Sequence, residues 1–126
     1  MRRYELIAKI QERKQQIGIS IENIAKLSHS GVRTVHRLLS GEDVKLSTLE
    51  KVTNILGLDF AGNVTVPLKE LIEKRANEKA IFMASLVQGT SALEMQGLEK
   101  DSLDNMIKEF EEAFIRGKYK HRLWVV

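Results

Sequence analysis

The spacing of apolar residues between positions 18 and 58 constrains the fold of this chain more than any other feature of its sequence. Short amphipathic segments alternate there with turn residues, a pattern that predicts a series of short helices. Ile24 and Ala25 would anchor one of these helices. Val35 and Leu38 would pack the next helix onto it and leave the side chains between them exposed.

Helical patterns cover the whole first half of the chain. An apolar stripe that begins at Tyr4 predicts a first helix, and Gly18 is suited to end it. Ser20 is suited to start a second helix. Third and fourth helices are predicted over about residues 32–40 and 47–56.

The second half of the chain follows a predicted linker. Residues 59–66 show a shift in composition and contain a glycine, so we expect them to separate a domain over residues 1–60 from a region over residues 61–126. Pro67 suits the first turn of a long helix of about five turns, which residues 88–90 would break. This helix carries apolar residues on more than one face and therefore needs more than one partner.

The last part of the chain predicts two helices and a tail. Ser91 and Glu94 form a capping box for a short helix over residues 91–98, and a final helix runs from about residue 101 to Gly117. Residues 118–126 alternate in character and are predicted to be extended. The predicted fold is all-α, with a helical C-terminal extension and a short extended tail.

Composition excludes several classes of protein. The chain has 126 residues, 43% of them apolar, which suits one domain or a small module with an extension. There is no cysteine, and three scattered histidines offer no zinc spacing, so we expect neither disulfides, a metal nor another cofactor. The N-terminus is not a secretory signal and no apolar run reaches the ~20 residues of a membrane span, which predicts a cytoplasmic protein without a membrane partner. Glu109, Glu111 and Glu112 have no histidine or metal partner in the pattern, and we expect no enzymatic activity.

The central motif resembles the lambda-repressor-like (Xre-type) helix-turn-helix of DNA-binding regulators. The family positions read here as Ile24-Ala25, His29-Ser30-Gly31, Thr34-Val35 and Gly41, and the family's next helix follows as far as Leu58. The resemblance covers about half of the chain. His29 stands where the family commonly has a turn glycine, and Gly31 stands where it commonly has a serine or threonine N-cap. The resemblance implies a sequence-specific, double-stranded DNA-binding transcriptional regulator, a dimeric autoregulatory repressor of a palindromic operator.

The distribution of charge agrees with this resemblance. Residues 1–60 hold ten lysines and arginines against seven acids, whereas residues 61–126 hold ten of each, so the net charge of +3 lies in the first half. A basic surface is what contact with phosphates requires. An excess of three charges is also within chance for any domain of this size.

Four residues of the third helix are predicted to contact bases. An arginine can donate two hydrogen bonds to guanine, and a valine can touch a thymine methyl group. The base-contacting set is Val32, Arg33, His36 and Arg37. The alternative is that the two arginines form an ordinary solvated helix face.

Five further residues are predicted to contact DNA phosphates. The family resemblance implies most of these contacts, which lie near helix starts. The set is Ser20, Thr34, Lys45, Ser47 and Thr48. Thr34 could instead pack at the start of its helix, and Lys45 could be a solvated loop residue.

The C-terminal half predicts an interaction surface. Ile81, Phe82, Leu86 and Trp124 are the expected interface residues, most simply of a homodimer. The segments 80–86, 89–94 and 122–124 also resemble the tails of antitoxin-type Xre regulators. That second resemblance implies an antitoxin that binds a toxin through residues 67–126, whereas the alternative is that these residues form only core and dimer contacts.

Overall fold

The computed structural model describes residues 2–88 and 100–126, and this part of the chain is helical. The helices are α1 (Arg3–Ile17), α2 (Ile21–Ser28), α3 (Val32–Leu39), α4 (Leu46–Ile55), α5 (Leu68–Gln88), α6 (Lys100–Ile115) and the 3-10 helix η1 (Lys120–Arg122). The predicted all-α class is confirmed for these residues, which contain no strand beyond a single antiparallel bridge between Leu58 and Val64. The predicted helix over residues 91–98 lies outside the described residues, as do the last two residues of the predicted break at 88–90.

The chain forms two compact units. Among the described residues, the first contains residues 2–68 together with 124–126, and the second contains residues 69–88 and 100–123. The division therefore falls later in the chain than the boundary expected after residue 60. Residues 59–66 belong to the first unit.

The core of the first unit comes from the apolar positions of four short helices. α2 packs against α3 and α4, and α1 packs against α3. The largest fully buried side chains are Ile10, Ile24, Val35, Val52 and Leu56. Burying one such side chain contributes about 1.5–3 kcal/mol, so these helices, too short to be stable alone, are held by packing.

The ends of α2 are fixed by local hydrogen bonds. The backbone N–H of Asn23 donates to Ser20 Oγ over 3.1 Å, which makes Ser20 the N-cap as predicted. His29 ends the helix in the left-handed conformation at φ 53°, and the N–H of Ser30 donates to the carbonyl of Ala25. Gly31 is the N-cap of α3 at φ −73°, an extended conformation that any residue can adopt.

A buried arginine joins α1 to the segment after α4. Arg13 is 5% exposed, and its Nε donates to the Leu56 carbonyl over 2.8 Å while its Nη2 donates to the Val66 carbonyl. Burial lowers the pKa of this guanidinium. The Gly57 carbonyl accepts from the N–H groups of Thr65 and Val66, so residues 57–66 form a loop that returns to its starting point.

The same loop carries its own internal bonds. Asp59 Oδ1 accepts from the N–H groups of Ala61 and Asn63, both over 2.9 Å. The hydrogen bond from the Asn63 backbone is the main cause of a lowered pKa at Asp59. The predicted linker is therefore a closed, hydrogen-bonded loop.

The tail is turned, and the prediction that it is extended is wrong. Residues 120–122 form η1, with the N–H of Arg122 donating to Tyr119 over 2.9 Å. The neighbours Leu123 and Trp124 are 5% and 8% exposed, and a half-buried strand would have exposed one of the two. Trp124 Nε1 donates to the Ile17 carbonyl at the end of α1 over 3.1 Å, so the predicted interface residue Trp124 lies inside the first unit.

The second unit is built on α5, which is longer than the five turns predicted. It has 21 residues, or about six turns. Arg75 Nε donates to the Leu123 carbonyl over 2.9 Å, and Asn77 Nδ2 donates to Glu111 Oε1 of α6 over 2.8 Å. Ala76, Ala80 and Ala84 are fully buried.

Gly57→Ala should destabilise the protein much more than Gly18→Ala. Both glycines have positive φ, at 70° and 78°, but a Cβ at Gly57 would lie 3.1 Å from Val66 Cβ and 3.2 Å from the Val66 carbonyl oxygen, whereas one at Gly18 meets nothing within 4 Å. We expect losses in unfolding free energy of about 1 kcal/mol for Gly18→Ala and about 2–4 kcal/mol for Gly57→Ala, measured by urea denaturation. Equal losses would contradict the close approach of residues 57 and 66.

The emission of the single tryptophan should report the docking of the C-terminus. Because Trp124 is 8% exposed, its fluorescence should be blue-shifted in the folded protein and weakly quenched by acrylamide, relative to the urea-unfolded chain. Trp124→Phe should cost about 1–2 kcal/mol, since the Ile17 carbonyl loses its donor. Native emission that matches the unfolded chain would show that Trp124 is not docked.

Candidate nucleic-acid interface

α3 presents one polar, basic face and one apolar face. Val35 and Leu38 are buried, at 0% and 3% exposure, as predicted. All four residues predicted to contact bases lie on the exposed side: Val32, Arg33, His36 and Arg37. The contrast follows from the 3.6-residue period of the helix, which places positions 35 and 38 on the same side.

The five predicted phosphate-contacting residues lie at the N-terminal ends of three helices. Ser20 is at the start of α2, Thr34 is in the first turn of α3, and Lys45, Ser47 and Thr48 are at the start of α4. Lys45 and Ser47 are exposed, and the other three are half-buried. Helix N-termini have unbonded N–H groups and the positive end of the helix dipole, which favours anions.

Ser20 and Lys45 both stand at N-cap positions, but only the side chain of Ser20 is used for capping. Ser20 Oγ already accepts the hydrogen bond that caps α2, which leaves only its hydroxyl proton to donate. Lys45 is the N-cap residue of α4 without a side-chain hydrogen bond to the helix, so its ammonium group is not used for capping.

The two arginines of α3 have different surroundings. Arg37 Nη2 donates to the Asp43 carbonyl over 3.2 Å, and its Nε lies 3.9 Å from Glu42 Oε1. Arg33 makes no hydrogen bond or ion pair with the residues that the structure describes. The guanidinium of Arg33 is therefore free to donate in its full planar geometry.

The structure brings a further arginine to this region that the sequence did not indicate. Arg3 Nη1 donates to the Gly41 carbonyl over 3.0 Å, and Arg3 Nη2 pairs with Asp43 Oδ1. Arg3 and Asp43 are 40 residues apart in the chain, so no local pattern could have linked them. Arg3, Glu42 and Asp43 are the residues of this site that sequence reasoning missed.

The described residues lack the features of two other functional classes. Within residues 2–88 and 100–126, no group of three or more histidine or acidic side chains is arranged to hold a metal ion. None of the described helices combines the length and the apolar character needed to cross a membrane.

Comparisons of the chain with protein-family models, with curated proteins and with solved structures gave no match.

Two replacements of Gly31, the N-cap residue of α3, should change the free energy of unfolding in opposite directions. Gly31→Ser adds a hydroxyl that can accept from the N–H of Thr34, and its Cβ would be in ordinary contact with Thr34 Oγ1 at 3.7 Å. We expect Gly31→Ser to gain about 0.5 kcal/mol of unfolding free energy and Gly31→Ala to lose about as much, in urea denaturation. Shifts of the same sign would show that Gly31 is not an N-cap.

Proposed function

We propose that this protein is a sequence-specific, double-stranded DNA-binding transcriptional regulator, acting as a dimeric autoregulatory repressor. In this proposal α2 and α3 form a helix-turn-helix, and α3 is the recognition helix. The observation that carries the proposal is the exposed set of Val32, Arg33, His36 and Arg37 on a helix whose other side is buried. No enzymatic role is part of the proposal.

The dimensions of α3 suit a major groove. An α-helix with its side chains is about 10–12 Å in diameter, which fits the ~12 Å width of the groove, and α3 has eight residues. α2 and α3 are joined by the three residues His29, Ser30 and Gly31, a connection of the length found in helix-turn-helix motifs. Packing of α2 against both α3 and α4 would hold the recognition helix rigidly during the search for a site.

Arg33 is the residue expected to carry most of the sequence preference. A guanidinium that pairs with the O6 and N7 of guanine discriminates against a wrong base by about 1–3 kcal/mol. Exposed Val32 could add a contact to a thymine methyl group. The phosphate-contacting residues would fix the register without reading sequence.

Arg33→Ala should remove the preference for one DNA sequence over another, whereas the loss of one positive charge outside the proposed interface should not. A duplex selected by the wild-type protein from a randomised library, and a scrambled version of it, serve as probes. We expect Arg33→Ala to weaken binding of the selected duplex about 5- to 150-fold and to bring the two affinities together. Fluorescence anisotropy at ~50 and ~200 mM salt measures both affinities.

The control is Lys51→Ala, which removes one exposed charge from α4 outside the proposed interface. It should lower both affinities slightly and leave their ratio unchanged. The assignment of Arg33 would be overturned if its variant behaved as Lys51→Ala does.

A protein partner is favoured by exposed apolar residues on α5. Ile81, Phe82 and Leu86 are 38%, 58% and 60% exposed, a cluster that is unusual on a free surface. We assign it to a contact with a second copy of this chain, because two recognition helices are needed to read a palindrome. The second candidate function, an antitoxin, would use this same surface to bind a toxin.

Phe82→Ser with Leu86→Ser should convert a dimer to a monomer. Light scattering after size exclusion gives the mass, and Val64→Ser is the control because Val64 is an equally exposed residue of the first unit, at 60%. A wild-type chain that is monomeric at every concentration would contradict the dimer. A stable complex with the product of a neighbouring reading frame, lost in the double variant, would favour the antitoxin.

A further inference from the structure

The loop after α3 holds two arginines through acidic side chains. Asp43 pairs with Arg3, and Glu42 lies 3.9 Å from the Nε of Arg37. The carbonyls of Gly41 and Asp43 accept from the same two guanidiniums. Both cations are thus directed at one short loop, between the recognition helix and the start of α4.

These pairs are too exposed to be important for the fold. The side chains of Arg3 and Asp43 are 61% and 86% exposed, and those of Arg37 and Glu42 are 50% and 59% exposed. Exposed ion pairs have small effects on stability and are screened by salt. Pairs of this kind exchange readily with a competing anion in the surrounding solvent.

A DNA phosphate offers a guanidinium the same chemistry as a carboxylate. Both anions accept two parallel N–H hydrogen bonds in the planar geometry of arginine. The acidic loop also lies next in sequence to Lys45 and Ser47, which belong to the proposed phosphate-contacting set.

We propose that Arg3 is an additional phosphate-contacting residue, and that Asp43 holds Arg3 in the free protein as an intramolecular substitute for a DNA phosphate. This inference rests on the proposed function. DNA must displace the Asp43 carboxylate before Arg3 can contact its backbone. Asp43 therefore lowers affinity for every duplex by a similar factor and leaves sequence preference to the base-contacting set, in which Arg33 has no acidic competitor among the described residues.

Binding of the selected and the scrambled duplexes tests the proposal in the full-length chain. Asp43→Asn should strengthen the binding of both duplexes about two- to fivefold without changing their ratio. Arg3→Ala should weaken both by a similar factor, and the slope of log K against log salt should become shallower by about 0.9. Glu12→Gln is the matched control, because it removes one exposed carboxylate from α1.

A double-mutant cycle separates local competition from long-range repulsion. If Asp43 acts through Arg3, the gain from Asp43→Asn should disappear in the Arg3→Ala background. The same gain in both backgrounds, or a gain equal to that of Glu12→Gln, would overturn the proposal. Unchanged Trp124 emission in all variants would show that the fold is intact.

The two levels of inference fail differently. A wild-type chain that enriches no duplex from the randomised library, and binds none at ~50 mM salt, overturns both the proposed function and this proposal. A chain that prefers the selected duplex through Arg33, but shows no coupling between Arg3 and Asp43, overturns this proposal alone.

Discussion

The buried guanidinium of Arg13 is the interaction on which the first unit most depends. Arg13 lies on α1, and its side chain donates to two carbonyls. One is that of Leu56 at the end of α4, and the other is that of Val66, the last residue of the 57–66 loop. A cation suits the end of α4, because the unbonded carbonyls there carry the negative end of the helix dipole. A buried cation without its acceptors would be strongly destabilising, so α1, α4 and the loop must form together.

This arrangement supports the face of α3 without touching it. α1 and α4 are fixed to each other through Arg13, and α2 and α3 pack between them through fully buried Ile24 and Val35. This packing holds the backbone of α3, and with it the exposed side chains, in a fixed position. Rigidity of this kind reduces the conformational entropy that binding has to overcome.

Much of the first unit could be predicted from local patterns. The periodicity around Ile24 and Val35 gave the buried sides of α2 and α3, and Ser20 gave a helix start. These features are local in the chain, where apolar spacing and capping chemistry act within a few residues. The exposure of Arg33 followed from the same periodicity.

The features that could not be predicted depend on contacts between distant residues. A periodic pattern predicts that an arginine such as Arg13 lies on the surface. Arg13 is buried because its guanidinium donates to the carbonyls of Leu56 and Val66, which are distant from it in the chain. Trp124 was expected at an interface, but its N–H pairs with a carbonyl 107 residues earlier in the chain. The capture of Arg3 by the loop after α3 likewise has no local signal.

The recognition role of α3 is the central claim, and an amide NMR titration of the labelled full-length chain with the selected duplex tests it most directly. The account predicts that the largest shifts fall on α3, around Arg33 and His36, and on the starts of α2 and α4. Shifts confined to the end of α5 around Phe82, or no shifts at ~50 mM salt, would contradict it. The first of these results would instead indicate a protein whose main partner binds the second unit.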